Sequence, residues 1–214
     1  MQSSEIRNPQ VHDLLQIDQL SLTSGCTGEP SWVKRALLDC PWVVVRRTQA
    51  APGLIAVGVR AKARSERWAA FCEQSRVSKI VRPEDLLLHD RTSNDLRRTP
   101  ALKALQQMKD RWADLTLPWG PAGSVGFELA SGRKVSTNAS DLDLVIHAAG
   151  QIGVDEARVL LDRTIGLEAK VDVRVETPVC GFSLEEYVSA SSAKVLLRYQ
   201  DRVRLGEDPW QEGA

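Results

Sequence analysis

Trp42–Arg46 and Ile55–Arg60 are short apolar runs, rich in Val, on either side of a turn signal at Pro52-Gly53. Such runs bounded by turn residues predict a pair of strands around that turn. Ser65 to Gln74 reads as a helix capped by Ser65. Further on the period lengthens. Leu102, Leu105, Met108, Trp112 and Leu115 recur every three or four residues, which predicts a helix with one buried face. Thr99 is placed to cap it, with Pro100 at its first position. Leu115–Trp119 reads as a short strand entering a Gly-rich turn, Ser124–Ala130 as a short helix, and Ser131–Ser140 as a loop. Asp141–Ile146 is predicted as a strand, Asp155–Thr164 as a helix and Ala169–Glu176 as the next strand. Ser183-Leu184-Glu185-Glu186 has the capping-box pattern that opens a helix. Val195–Arg198 and Arg202–Leu205 form a closing hairpin in this reading.

Arg82 to Pro100 is charged and broken by Pro, Asn and Thr-Pro signals, and reads as a linker. It divides the chain into a small basic α+β domain, residues 1–90, and a second domain, 91–214. The class is α+β. The 214 residues, 43% of them hydrophobic, are enough for a packed core. No run of eighteen apolar residues predicts a membrane span, and the N-terminus, with Glu5 and Asp13, does not read as a secretory signal. Cys26, Cys40, Cys72 and Cys180 are scattered without a Cys-x-x-Cys pair, and His12, His89 and His147 do not cluster. The expectation is reduced thiols in a cytoplasmic protein, with no zinc site.

The chain is neutral overall, but Pro41–Arg82 holds nine Lys/Arg against two Glu. That concentration of positive charge suits a polyanionic substrate or an acidic protein partner. A strongly basic domain overall, the mark of proteins that grip long nucleic acid, is missing.

The chemistry sits in the second half. Two acids at i and i+2 of a strand, Asp141 and Asp143, point to one face and are suited to a hard divalent cation. Gly123-Ser124 lets backbone N–H groups approach a phosphate closely. In Val171-Asp172-Val173-Arg174-Val175 the valines share one face, while Asp172 and Arg174 share the other with Glu176. Phosphate-binding backbone and three carboxylates point to phosphoryl or nucleotidyl transfer. Arg174 either contacts phosphate or pairs with an acid. His147 has the parity of the acids but lies about 13 Å beyond Asp143 by strand rise, and reads as a surface or core residue.

The order Gly-Ser, helix, Asp-x-Asp strand and later strand Asp resembles the DNA polymerase β-like nucleotidyltransferase superfamily. Further blocks resemble one family within it: Pro41–Arg47, Val57–Arg60, Arg82–Leu86, Gly123–Ala130, Ser140–Leu144, Val175–Pro178 and Asp208-Pro209-Trp210. This is the phosphoribosyl-dephospho-CoA transferase of malonate decarboxylase, also called its holo-acyl-carrier-protein synthase. The resemblance covers nearly the whole chain; Arg60-Ala61, in place of Arg-Gly, and Arg198–Leu205 depart from it. It implies a nucleotidyltransferase-fold domain, with a mixed sheet and flanking helices, after the small N-terminal domain. The implied donor is 2′-(5″-triphosphoribosyl)-3′-dephospho-CoA, the acceptor a serine of the apo acyl-carrier subunit, and the leaving group pyrophosphate. Asp141 and Asp143 would bridge Mg²⁺ ions, or Mn²⁺ in their place, with Asp172 binding the ion on the nucleophile side. Gly123 and Ser124 would hold the outer phosphates. Ser140 would bind phosphate or orient Asp141. Arg46, Arg47 and Arg60 would meet the donor's triphosphate or the acidic carrier, as would Arg133 and Lys134. The alternative is a nucleotidyltransferase that uses ATP on another protein or a small molecule.

Overall fold

The computed structural model describes residues 8–18, 22–24, 28–61, 66–88, 99–189 and 194–211. The chain divides into two compact units, Met1–Arg82 and Pro83–Ala214. Ser65, Cys26, His89 and most of the expected linker lie outside the described residues.

Among its described residues the N-terminal unit is a six-stranded antiparallel sheet with one α-helix. Its elements are β1 (Leu14–Ile17), β2 (Leu22–Ser24), α1 (Trp32–Asp39), β3 (Trp42–Val45), β4 (Leu54–Arg60), β5 (Arg67–Glu73) and β6 (Val77–Val81). The strand order is β2-β5-β4-β3-β1-β6. Alternate residues of four strands build the core: Leu15 and Ile17, Val43 and Val45, Ile55, Val57 and Val59, then Trp68, Ala70 and Cys72. Val33 and Leu37 of α1 complete it.

The predicted β3–β4 pair is present, but the helix expected over Ser65–Gln74 is the strand β5. It pairs with β4 along its whole length, from Leu54 opposite Glu73 to Arg60 opposite Arg67. Burial alternates along it, with Trp68, Ala70 and Cys72 inside. Seven ladder pairings and a period-two apolar face override the helix propensity of Ala69, Ala70 and Glu73.

The C-terminal unit places helices around a mixed six-stranded sheet, in a nucleotidyltransferase-like arrangement. Its elements are α2 (Pro100–Arg111), β7 (Trp119–Pro121), α3 (Gly123–Ser131), β8 (Leu142–His147), α4 (Val154–Asp162), β9 (Val171–Glu176), β10 (Gly181–Ser183), α5 (Leu184–Ser189), β11 (Val195–Arg198) and β12 (Val203–Gly206). The order is β12-β11-β10-β9-β8-β7, with β8 and β9 parallel. α2 begins as predicted, Thr99 Oγ1 accepting from the N–H of Leu102 ahead of Pro100. The strand expected over Leu115–Trp119 starts instead at Trp119, because Leu115 closes the turn after α2 through its N–H to Trp112 O. Pro121 is tolerated there since β7 is an edge strand. A β-carbon on Gly120 would overlap the Pro83 carbonyl, so the glycine lets the Pro83–Leu87 turn press onto β7.

Candidate active site

The parallel register of β8 and β9 builds the site. Leu142 faces Val171, Leu144 faces Val173 and Ile146 faces Val175 on the apolar side of the pair. The other side carries three rows: Asp143 beside Asp172, Val145 beside Arg174 and His147 beside Glu176. A slip of one residue would turn the acids into the core, so burial of the aliphatic rows sets the register.

β7 delivers α3 to the same place. Ala122 N–H donates to the Asp143 carbonyl at 2.8 Å. Gly123, the first residue of α3, has φ +56°, and a β-carbon there would overlap Asp143 Oδ2. Only glycine allows both the left-handed backbone and the contact. The first turn of α3, with half-buried Ser124, therefore lies against the Asp143 carboxylate. The positive end of the helix dipole favours that charge.

Asp172 accepts from Arg174 Nη2 at 3.2 Å, with both side chains about one-third exposed (33% and 32%). This ion pair places positive charge beside the acid row.

Asp141 differs from its neighbours. It is exposed and lies one residue ahead of β8, so strand alternation does not place it. Ser140 Oγ accepts from Thr137 N–H at 2.9 Å, and Ser140 N–H donates back to Thr137 O, closing a turn before Asp141. The Ser140 side chain is thus engaged with the loop. Among the described residues no group of three or more His, Cys, Asp or Glu is gathered closely enough to hold a metal ion. Asp143 and Asp172 form the close pair.

Other candidates are spread out. His147 donates its backbone N–H to Pro118 O, two rows from Asp143. Arg133 and Lys134 are exposed on the loop after α3. In the N-terminal unit, β3–β4 pairing puts Val44 opposite Gly58 and Val45 opposite Val57. Arg46 therefore continues level with Ala56, and its N–H donates to Ala56 O, while Arg60 lies four residues further along β4, about 14 Å away by strand rise. The Arg46 side chain lies against Gly58, two residues short of Arg60 on β4.

One residue escapes sequence reasoning. Glu128 of α3 is 1% exposed and its Oε2 accepts from Val135 N–H, Ser136 N–H and Ser136 Oγ. The signal that could have found it is an acid embedded in the apolar run Gly126-Phe127-Glu128-Leu129.

Two family models match the chain. One is described as phosphoribosyl-dephospho-CoA transferase MdcG N-terminal domain and spans residues 10–83; the other, MdcG C-terminal domain, spans 87–209. The chain belongs to the phosphoribosyl-dephospho-CoA transferase (MdcG) family. Curated members agree in length as well as sequence. A phosphoribosyl-dephospho-CoA transferase of Pseudomonas aeruginosa is 36% identical over 95% of this chain and 94% of its own. The Azotobacter vinelandii protein of the same name is 35% identical over 96% of both, and that of Pseudomonas putida 34% identical over 94% and 95%. No solved structure matches. Membership makes the chain an enzyme of the phosphoribosyl-dephospho-CoA transferase type, and the C-terminal match takes in α3, β8 and β9, where the acids converge.

Proposed function

We propose that this enzyme transfers the phosphoribosyl-dephospho-CoA group from its 5″-triphosphate donor to a serine of the apo acyl-carrier subunit of malonate decarboxylase, releasing pyrophosphate. The observation that carries this reading is the meeting of Asp143, Asp172 and the α3 N-terminus at Gly123. Carboxylates beside a helix N-terminus pair a cation-attracting edge with phosphate-binding amides.

In this reading the donor triphosphate lies along the first turn of α3, where the Gly123 and Ser124 amides and the Ser124 hydroxyl hold its outer phosphates. The α-phosphorus then faces the Asp143–Asp172 row, in line between the attacking serine oxygen and the pyrophosphate. The new P–O bond forms to the serine oxygen as the bond to pyrophosphate breaks, and the hydroxyl proton leaves to solvent. Arg174 keeps Asp172 in place and supplies positive charge near the transferred phosphoryl group.

The acid pair suits a hard cation: two oxygen-donor side chains side by side, with the Gly123 cradle leaving the Asp143 carboxylate uncrowded. Asp143 and Asp172 would hold Mg²⁺ or Mn²⁺, with Asp141 and the donor's phosphate oxygens completing the shell. Such an ion makes the serine hydroxyl more acidic and neutralises charge on the leaving pyrophosphate. The carrier docks as an acidic protein, and the setting is cytoplasmic.

Mass spectrometry of apo carrier incubated with the enzyme, donor and Mg²⁺ tests the reading. The expected result is a carrier mass raised by one phosphoribosyl-dephospho-CoA group, lost in excess chelator and restored by Mg²⁺ or Mn²⁺. Modification by ATP in place of the CoA-derived donor would overturn the donor assignment.

A further inference from the structure

We propose that the outer end of the acid-bearing sheet face, the strip Leu196, Arg198, Val203 and Leu205 on β11 and β12, is the docking surface for the acidic carrier protein. The inference rests on the transfer to a carrier proposed above and adds where that partner sits. Residues directly opposite each other on neighbouring strands share a face, so the register carries the acid side of β9 outward. Glu176 stands opposite Gly181, Gly181 opposite Arg198, and Arg198 opposite Val203. Arg174 stands opposite Ser183, and Leu196 opposite Leu205. Leu196, Val203 and Leu205 are therefore on the same side of the sheet as Asp143 and Asp172. Val195 and Leu197 turn to the other side and are buried.

Exposure rises outward along this face. Gly181 and Ser183 are buried and Leu196 and Arg198 half-buried, while Val203 and Leu205 are 57% and 63% exposed. A single exposed aliphatic side chain is ordinary. Two at i and i+2 of the edge strand β12, with Leu196 beside one of them, make a continuous apolar strip. Charge selects what covers it. Lys194–Gly206 holds Lys194, Arg198, Arg202 and Arg204 against Asp201 as its one acid, and Asp201 pairs with Arg202 at 2.9 Å. Arg202 and Arg204 stand over the Tyr199 ring, 4.8 and 5.3 Å from its centre, which keeps both guanidinium groups at the edge of the sheet. Of the acids that follow β12, Asp208 accepts from Trp210 N–H at 2.8 Å. A second copy of this chain laid along β12 would bring its own arginines against these, the means by which charged edge strands resist self-pairing. An acidic surface with an apolar centre meets the strip and its basic rim together, in the arrangement usual for specific interfaces. Reach agrees with this choice. β12 lies three strand spacings from β9, roughly 14 Å, so a partner seated on the strip is on the side from which its serine approaches the Asp143–Asp172 row.

The test compares three variants of the full-length enzyme: Val203→Gln with Leu205→Gln, Arg198→Glu, and Val159→Gln with Ile165→Gln as the control. The control removes comparably exposed aliphatic side chains, 51% and 68%, from α4 and the turn after it. Unfolding midpoint, sedimentation, titration with apo carrier and transfer kinetics read by carrier mass are measured for each. Both strip variants are expected to raise Kd and KM for the carrier roughly tenfold, with KM for the donor and kcat at saturating carrier unchanged. The loss from Arg198→Glu should shrink as salt is raised, whereas that from the glutamine pair should persist. The control should match wild type throughout. The glutamine pair, whose side chains are exposed, decides the matter should Arg198→Glu not fold. Wild-type carrier affinity and KM in both strip variants would overturn the proposal. So would a wild-type dimer that the glutamine pair splits while carrier KM stays the same, since the strip would then join two copies of this chain. A wild-type enzyme that leaves the mass of the apo carrier unchanged would instead overturn the transfer reading, and the docking proposal with it.

Discussion

Asp143 and Asp172 stand opposite each other in register on two parallel strands, and Arg174 closes on Asp172 from the next row. Like charges opposite each other on a sheet repel, and the Arg174 guanidinium answers the Asp172 side of the row. In the proposed mechanism a bound cation would add its positive charge there. Replacing either acid by Asn nearly preserves volume while removing the charge. Asp143→Asn and Asp172→Asn are each expected to keep the unfolding midpoint within a few degrees and to lose several kcal/mol of transition-state stabilisation, which is roughly a hundredfold or more in rate. The Asp172 variant should lose mainly kcat. Near-wild-type turnover with ordinary Mg²⁺ dependence in either variant would remove that residue from the site.

Gly123 offers a separate test of how tightly α3 approaches the acids. Gly123→Ala combines left-handed strain, about 1–2 kcal/mol, with overlap on Asp143 Oδ2. Gly166 has a similar backbone, φ +77°, and a methyl group there would meet nothing within 4 Å. Gly166→Ala is therefore the control: comparable strain, no contact. Both variants should melt earlier, but only Gly123→Ala should lose transfer activity. Equal activity in the two, assayed at a temperature where both are folded, would mean that the contact between α3 and Asp143 is dispensable.

What can be read from the sequence depends on the range of the interactions involved. Thr99-Pro100 marks the start of α2 because capping is local, and the alternating valines of β9 announce which side of Asp172 is buried. Asp143 and Asp172 can be named singly, but their pairing depends on strand order and register across nearly thirty intervening residues. β5 departs from its helix reading for the same reason. Its Ala and Glu content favours a helix locally, and only the partner strand β4 makes the alternation of Trp68, Ala70 and Cys72 decisive. The burial of Glu128 stays hidden because its partners, Val135 and Ser136, lie in a loop with no periodicity of its own.

Cys72 links the N-terminal core to pH. Burial pushes its thiol up to about 11, with the Glu73 carboxylate adding to the effect. The raised value means that the folded state disfavours the thiolate. Stability from this group is complete below the ordinary thiol range and is lost as pH climbs from about 9 towards 11, because the unfolded chain then releases a proton that the folded chain retains. Urea unfolding at pH 8 and pH 10.5 is expected to show the wild type losing on the order of 2 kcal/mol more than Cys72→Val across that interval. In the same window the folded protein should leave Cys72 unreactive toward iodoacetamide. Parallel stability curves for the two proteins would show that Cys72 titrates normally.

The basic N-terminal unit yields the last prediction. Its sequence suggests one positive field, with nine Lys/Arg and two Glu between Pro41 and Arg82. Arg46 and Arg47 leave the end of β3 level with Ala56, whereas Arg60 ends β4 about 14 Å away by strand rise, directly opposite Arg67. Like charges opposite each other on neighbouring strands are unfavourable unless an anion answers them. The Arg46 side chain runs along Gly58, towards the Arg60 end of β4, so charge is reversed at each end in turn to find which arginines an anionic partner meets. Arg46→Glu with Arg47→Glu is expected to weaken binding of one anionic partner, donor or carrier, by roughly tenfold at low ionic strength, and Arg60→Glu to do so by a similar factor. Titrating donor and carrier separately against each variant assigns the ends. Loss of donor affinity marks a place for the triphosphate or the CoA moiety; loss of carrier affinity marks a docking surface. In both cases the wild-type advantage should shrink as salt is raised, since exposed charges are screened beyond about 10 Å at 0.1 M. Unchanged affinity for both partners at low salt in both variants would leave the arginines as a solvated face with no role in encounter.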